Sequence, residues 1–594
     1  MKTKIYRILL ALPVLAMMTA CEGMLNLTPE DRVTPATFFN TASNLELFTN
    51  NFYPSVLPGG SIYEDEADGI INPILDEAIS GQRIIPETSS GVDGWGWDVL
   101  RQINYYLENS HMCEDTEARN HYDGVARFFR AYFYFYKVRR FGDVPWYDHV
   151  IGSADREDLD KPRDSRELVM QNIIADLDWA ADNLRQQKDV YRVTRWTALA
   201  LKSRICLFEG TFRKYHGLGD WKKYLEECEK ASDLFMTESG YTLYNEGSTP
   251  YKDLFTSMDA IPEEIIMARD YSQSLSLTHG VQNYEISSGS GCAGVTRRIV
   301  GAYLMSNGER FSDQEGYEKM TFLDEVKDRD PRLAQTFRTP GYTIDGVSAP
   351  PDLRIAKLGY QPMKYYISKQ WDNSSCVDLP LFRTAEVYLN FAEAKAELGT
   401  LTQEDLDRSV NLIRNRADMP DLNKDEANTD PDEWLESEQW GYPNVDKGAN
   451  KGVILEIRRE RTVELFMEGF RYYDMMRWKE GKVFEKPFLG MYIPAPGNYD
   501  LDGDGTPDVY IYDDNTQEAP DAAVSVQLKL GERIYLYDPE TGQVGNKGYL
   551  TIHQDLVRHW NEDRDYLYPI PTKDRILTNG ALSQNPGWDD GLPF

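Results

Sequence analysis

The chain reads as a mainly α-helical protein. Tetratricopeptide-like helical hairpins form a scaffold, and long irregular loops with short strands pack over it. Three observations predict this. Apolar residues recur at the helical period in several strong segments, and two helix pairs carry small residues at regular places, which lets neighbouring helices approach closely. Residues 240–378 and 484–550 are instead loop-rich, with many Gly, Ser, Tyr and Pro in the first and weak periodicity in both. At 594 residues the chain also exceeds what one compact core comfortably serves, so it is either one large helical array or several packed subdomains. No strict repeat period is visible, so the array is degenerate.

In chain order, residues 37–52 are the first expected helix, ended by Pro54, and 57–94 read as irregular. Residues 98–109 place Leu100, Ile103 and Leu107 on one stripe. A stronger helix spans 117–141, with Val125, Phe128, Phe129, Tyr132, Phe135, Tyr136 and Val138 in period, stopped by Gly142 and Pro145. Residues 165–184 follow, with Leu168, Ile173, Leu177 and Ala181 facing inward. The first repeat-like pair is 194–209, capped by Thr194 and broken from Gly210 onward, and a helix capped by Asp220. The second is 381–398 and 404–417, separated by Gly399. A last strong helix covers 454–468 and continues near 472–479. Loops as long as those at 240–378 and 484–550 are usually functional.

The start of the chain, MKTKIYRILLALPVLAMMTAC, is a secretory signal: Lys2, Lys4 and Arg7, an apolar run too short to span a bilayer, then small residues. Cleavage after residue 20 leaves Cys21 first, the acceptor position for a lipid anchor, with 21–594 as a single helical domain. Met18 departs from the Leu usual in lipoprotein signals. Net charge is −33, and removing residues 1–20, which hold three basic residues and no acid, leaves −36. Such a chain repels nucleic acid and anionic headgroups, so membrane contact is expected through the lipid alone. Aromatic residues make up 12%, with 37 Tyr and 12 Trp, rich enough to furnish stacking surfaces as well as core. Five cysteines besides Cys21 show no zinc-type spacing. Cys206 and Cys228 lie on neighbouring helices, where a disulfide is possible and two buried thiols are favoured.

Several ordered motifs resemble the SusD/RagB family of outer-membrane glycan-binding lipoproteins. They are Leu27-Thr28-Pro29 with Phe38-Phe39; Trp97, Leu100, Ile103 and Asn104; ARFFRAYFYFYKVRRFGDVPW (126–146); LPLFRTAEVYLNFAEAKAELG (379–399); RRERTVELFMEGFRYYDMMRWKEGK (458–482); and YLYPIPTKDRILTNGALSQNPGW (566–588). The resemblance implies a helical SusD-like fold on the cell surface, paired with a TonB-dependent transporter of the SusC type. It implies capture of an oligo- or polysaccharide and its delivery inward, without catalysis. Arg130, Arg383, Glu386, Glu464, Glu468, Arg471, Asp474 and Arg477 read as buried ion pairs joining helices, since buried charges must be paired. A peptide-binding RagB-type subunit or a protein-only adaptor is the alternative. A hydrolase is disfavoured by the scaffold, although 97 acidic residues leave room for a carboxylate pair.

Glycan recognition needs flat aromatic faces and planar polar groups. Trp97 matches the family's scaffold tryptophan and reads as core, which leaves Trp95, in a glycine-rich loop, as the ligand platform. Tyr271, Tyr284 and Tyr303 lie where the family supplies further rings, with Gln282, Asn283, Arg297 and Arg298 as hydrogen-bonding candidates and Trp371 as another ring. DLDGDGTPD (500–508) resembles the front of an EF-hand-type loop: Asp500, Asp502 and Asp504 alternate, Gly505 turns, Thr506 offers a carbonyl and Asp508 binds through water. Ile511 stands where the twelfth-place acid belongs, with Asp513 or Asp514 as substitutes. The expectation is a structural Ca2+ stiffening a long loop, with no other cofactor required.

Overall fold

The computed structural model describes residues 34–91, 94–289 and 291–594. The expected signal, Cys21 and the Leu27-Thr28-Pro29 motif lie outside the described residues. The principal helices are α1 (Asp98–Asn109), α2 (Thr116–Phe141), α3 (Arg166–Asn183), α4 (Arg195–His216), α5 (Trp221–Glu238), α6 (Thr384–Leu398), α7 (Lys451–Glu464) and α8 (Arg471–Arg477). Helix α2 packs on α3, α4 on α5, α5 on α6, and α6 on α7, so the scaffold is a succession of helix pairs. Side chains start them where expected: Asp115 accepts the Ala118 N–H for α2 and Ser165 that of Leu168 for α3. Gly142 ends α2 at φ 72°, and Gly217 ends α4 at φ 71°.

Six local expectations fail. The 404–417 helix is split into Gln403–Asp407 and Val410–Arg416, and Asp220 makes no capping hydrogen bond to the helix it precedes. Four others fail for identifiable reasons. Residues 37–52 form not one helix but parts of three, Pro35–Phe38, Ala42–Thr49 and Phe52–Val56. Thr34 and Thr41 each cap a new start, and Pro54 sits in a first turn, where its missing N–H costs nothing. Gly210 does not break α4. A Cβ there would stand 2.6 Å from Leu225, so the glycine is a seat for α5. Residues 381–383 belong to a strand, β2 (Leu379–Arg383), paired antiparallel with β1 (Ile265–Arg269); α6 begins only at Thr384. Leu168, expected inward, is 41% exposed, while Ile173, Leu177 and Ala181 are buried.

The loop-rich regions hold small sheets, as expected. Leu489–Ile493, Gly548–Thr551, Tyr535–Asp538 and Gln543–Gly545 form a four-stranded antiparallel sheet. Gly497–Tyr499 pairs antiparallel with Val509–Tyr512, which pairs in parallel with Val526–Lys529. Two large apolar cores result. One is built chiefly on α1–α5, the other on the loops and the C-terminal half.

Between helices the interior is charged and paired. Arg383 donates to Glu264 (3.0 Å), Glu464 (2.6 Å) and Glu468 (2.6 Å). Arg416 joins Glu264 and Glu464, and Arg332 reaches Glu464 at 3.0 Å. Arg471 grips Asp68, Arg204 grips Glu386, and Arg130 grips Asp176, each with two hydrogen bonds. Asp474 bridges Arg461 (2.7 Å) and Arg477 (2.8 Å). All eight charges singled out in the sequence are therefore paired. Burial by itself would raise the Glu464 carboxyl; Arg416, Arg383 and Arg332 outweigh it and hold the group well below the usual range. Cys206 and Cys228 are buried thiols in a small satellite core, not a disulfide.

Candidate functional site

A cleft of about 860 Å³ gathers two of the expected rings. Its walls come from residues 53–64, 191–192, 268–271 and 276–284, four stretches distant in the chain. Strand β1 delivers Tyr271 to one wall, and the Tyr271 N–H donates to Asp378 Oδ1 at 2.9 Å. The Tyr191 hydroxyl, from the α3–α4 connection, donates to Asp378 Oδ2 at 2.5 Å. One buried carboxylate thus ties two walls together. Burial raises the Asp378 carboxyl, and these same donors pull it back.

Tyr53, Tyr191 and Tyr271 are half-buried, which leaves part of each ring open to the cleft. Tyr271 meets His279 edge-on at 4.6 Å, and the Arg269 guanidinium lies 5.9 Å from its ring centre. The Tyr53 hydroxyl accepts the Val193 N–H at 2.9 Å, and burial pushes that phenol up to about 12. Tyr284 is 4% exposed and donates to Asn72 at 2.6 Å, so it lines the cleft with little more than an edge. Arg192 and Asp270 are exposed, and Asn283 is half-buried. The cleft therefore offers apolar ring faces beside planar hydrogen-bonding groups, the pairing that suits a polyhydroxylated ligand. The 272–277 turn, closed by a Ser272–Leu277 bridge, holds exposed Leu275 at its centre and exposed Leu277 on the cleft wall.

Other ring candidates are placed elsewhere. Trp95 is 1% exposed, packs edge-on against Phe141 at 4.8 Å, and donates its indole N–H to Asp574 at 2.7 Å. It is a core residue that reaches a different cleft, of about 700 Å³, with little more than an edge, beside Asp574 and Leu577 of the C-terminal segment. Trp97, expected as core, is half-buried and lines that same cleft with Tyr147. Tyr303 is fully buried, with its hydroxyl 3.5 Å from Thr336. Trp371 is half-buried in a short turn held to the 281–286 helix by Gln282, which donates to Ser368 and Asp372, and it does not line the 860 Å³ cleft. Arg297 and Arg298 are buried and spent on Glu325, Asp68 and backbone carbonyls. Sequence reasoning missed Tyr53, Tyr191, Arg192 and Arg269. Tyr53 carries no signal beyond its place in an expected helix, and the others stand in or beside connections whose partners lie far away in the chain.

The acidic loop joins Gly497–Tyr499 to Val509–Tyr512 as a hairpin connection. Asp500 accepts the N–H groups of Asp502, Gly503 and Gly505, Asp502 that of Asp504, and Asp504 that of Thr506. Gly503 and Gly505 take φ of 79° and 88°. One carboxylate oxygen each from Asp500, Asp502 and Asp504 lies within 4.8 Å of the others. Asp508 accepts the Leu501 N–H at 2.7 Å. Asp513 turns to Thr516 and Asp514 to Lys529, so neither joins this cluster.

The comparisons with known proteins agree with this architecture. A family model described as "SusD family" matches residues 263–588, and one described as "Starch-binding associating with outer membrane" matches residues 97–207. A SusD-like protein of Bacteroides ovatus is 23% identical, with 92% of this chain and 97% of that protein covered. The SusD-like protein P38 of Formosa agariphila is 24% identical over 80% of this chain and 92% of its own length. Among solved structures, a SusD-like protein of Bacteroides fragilis superposes with a TM-score of 0.67 at 21% identity, covering 94% of this chain and all of the other. A SusD-like carbohydrate-binding protein of the same species gives 0.67 at 20% identity, covering 91% and 99%. With the helix-pair scaffold, its buried arginine pairs and the match over more than half its length, the chain belongs to the SusD family.

Proposed function

We propose that this protein is a noncatalytic, cell-surface glycan-binding lipoprotein. It captures an oligo- or polysaccharide in the 860 Å³ cleft and delivers it to a SusC-like TonB-dependent transporter. The observation that carries this reading is the row of half-buried Tyr53, Tyr191 and Tyr271 beside Arg192, Asp270 and Asn283. Family membership and the carbohydrate-binding description of a solved structural neighbour support it. Attachment is through lipid on Cys21, in keeping with the outer-membrane wording of the second family model. No helix among the described residues is long and apolar enough to cross a membrane. Native affinity gels containing plant, fungal or host polysaccharides test the reading. One glycan should retard the protein, and Tyr271→Ala should reduce the retardation. Absence of retardation on every glycan, with peptide binding found instead, overturns it in favour of a RagB-type cargo.

We also propose a structural Ca2+ in the 500–508 loop, supported by the three converging carboxylates. Excess chelator should lower the melting temperature. An unchanged melt, with no calcium by elemental analysis, sinks the assignment.

A further inference from the structure

A third cleft, of about 750 Å³, lies on the other side of the 55–66 segment, and Ser61 lines both this cleft and the first. Its lining includes Arg139 and Arg140 from the last turn of α2, Tyr136 from the turn before, and Tyr472 and Tyr473 from the start of α8. Cations are favoured in a last helical turn, which gives the local reason for two arginines there.

Arg139 differs from the paired arginines of the interior. Its guanidinium carbon lies 4.0 Å from the ring centre of Tyr473 and 4.7 Å from that of Tyr136. Among the described residues it makes no hydrogen bond and no ion pair, and its Nε is buried without a partner. The Tyr473 hydroxyl is likewise buried without a partner. Ring contacts engage the face of a guanidinium and leave its in-plane N–H donors free. Three acids line the same cleft: exposed Asp98, which makes no ion pair with Arg139 among the described residues, and two that are engaged elsewhere. Asp65 accepts the Arg471 N–H at 3.2 Å, and Glu66 accepts those of Asn72 (3.3 Å) and Asp76 (3.2 Å). A planar fork of donors with no protein acceptor matches a carboxylate or a sulfate ester.

We propose that this cleft is a second subsite that receives the anionic group of an acidic sugar unit, with Arg139 as its fork and the Tyr473 hydroxyl as a further donor. A glycan chain in the first cleft then continues past Ser61 into the second, so the cargo is an acidic polysaccharide. This rests on the reading of the first cleft as a glycan site.

The test is native affinity electrophoresis of the purified protein in four gels. Polygalacturonate supplies carboxylates alone, and ι-carrageenan supplies sulfate esters. Pullulan and galactomannan are neutral. One acidic polymer should retard the protein, and which one does so identifies the group. Arg139→Gln should weaken that retardation at least about tenfold without changing the melting temperature. Arg139→Lys, which keeps charge but loses the fork, should fall between; it decides the matter if Arg139→Gln melts early. Full affinity for the acidic polymer in Arg139→Lys, or in a normally folded Arg139→Gln, overturns the proposal. Tyr271-dependent retardation by a neutral polymer alone also overturns it while leaving the first cleft's role intact. Retardation by none of the four ends both readings on this panel.

Discussion

The interior between α6, α7 and α8 and the tyrosine-lined cleft handle polar chemistry in opposite ways. In the interior every motif charge has a partner, and Glu464 is shared by three arginines. In the cleft, Arg192 and Asp270 are exposed and half-buried rings stand beside them. The first arrangement is closed, and its polar groups serve cohesion. The second is open, with capacity left for a guest. The difference teaches that dense charge in this family's motifs marks scaffold, whereas the site lies where donors and rings are left partly unspent.

The strongest way to break that contrast is to remove a shared interior charge. Glu464→Gln leaves Arg332, Arg383 and Arg416 short of a counter-charge, and a loss of about 3–5 kcal/mol is expected in denaturant unfolding. A near-neutral result would mean that the pairs are not cohesive. Trp95→Ala should cost a comparable 3–5 kcal/mol through the cavity it leaves, yet spare glycan binding in whatever fraction folds. Lost binding with an unchanged melt would return Trp95 to the site.

The pH profile follows from the same interior. The folded-state values of Glu464, Asp68, Glu393 and Asp474 lie below their unfolded values: burial raises each, and the arginines outweigh it. Their contribution is present above the unfolded carboxylate range, about pH 4. It is lost as pH falls through the folded values. Burial pushes Asp65, Glu66 and Glu480 the other way, to about 7, so their contribution is present at low pH and is lost as pH rises toward 7. Melting temperature measured from pH 2 to 8 should therefore rise as pH falls from 7 toward about 4 and drop below about 4, and Glu464→Gln should flatten that acid limb.

Smaller effects sharpen the comparison. Gly210→Ala gains about 1 kcal/mol of helix propensity but drives a Cβ into Leu225, and overpacking of about 1–3 kcal/mol should win. A raised melting temperature would show that α5 yields. Tyr271→Ala should leave the melt nearly unchanged and weaken glycan binding by about 1 kcal/mol, roughly fivefold. A large melting shift would place Tyr271 with the scaffold rather than the site.

Much of the scaffold was legible because helical period, caps and terminal glycines are local. Residues 98–109 are the clearest case: the expected span is the observed helix. The ion pairs were legible because paired charges are the physical condition for burying arginine and glutamate in motif helices. The site was only partly legible. Tyr271, Tyr284 and Asn283 meet in the cleft, while Tyr303 and Trp371 do not line it.

By itself the sequence determined the helical class, the order of the helices and which charges had to find partners, because each rests on spacing along a few turns. Only tertiary structure decided which aromatic faces stay open. Trp95 and Trp97 are two residues apart in one loop and border the same cleft, yet the first is 1% exposed with its indole N–H held by Asp574 from the far end of the chain, while the second is half-buried. The same holds for β2, which became a strand because β1, more than a hundred residues earlier, offered it hydrogen bonds. Exposure and pairing of this kind are properties of neighbours brought together by folding, and no local pattern records them.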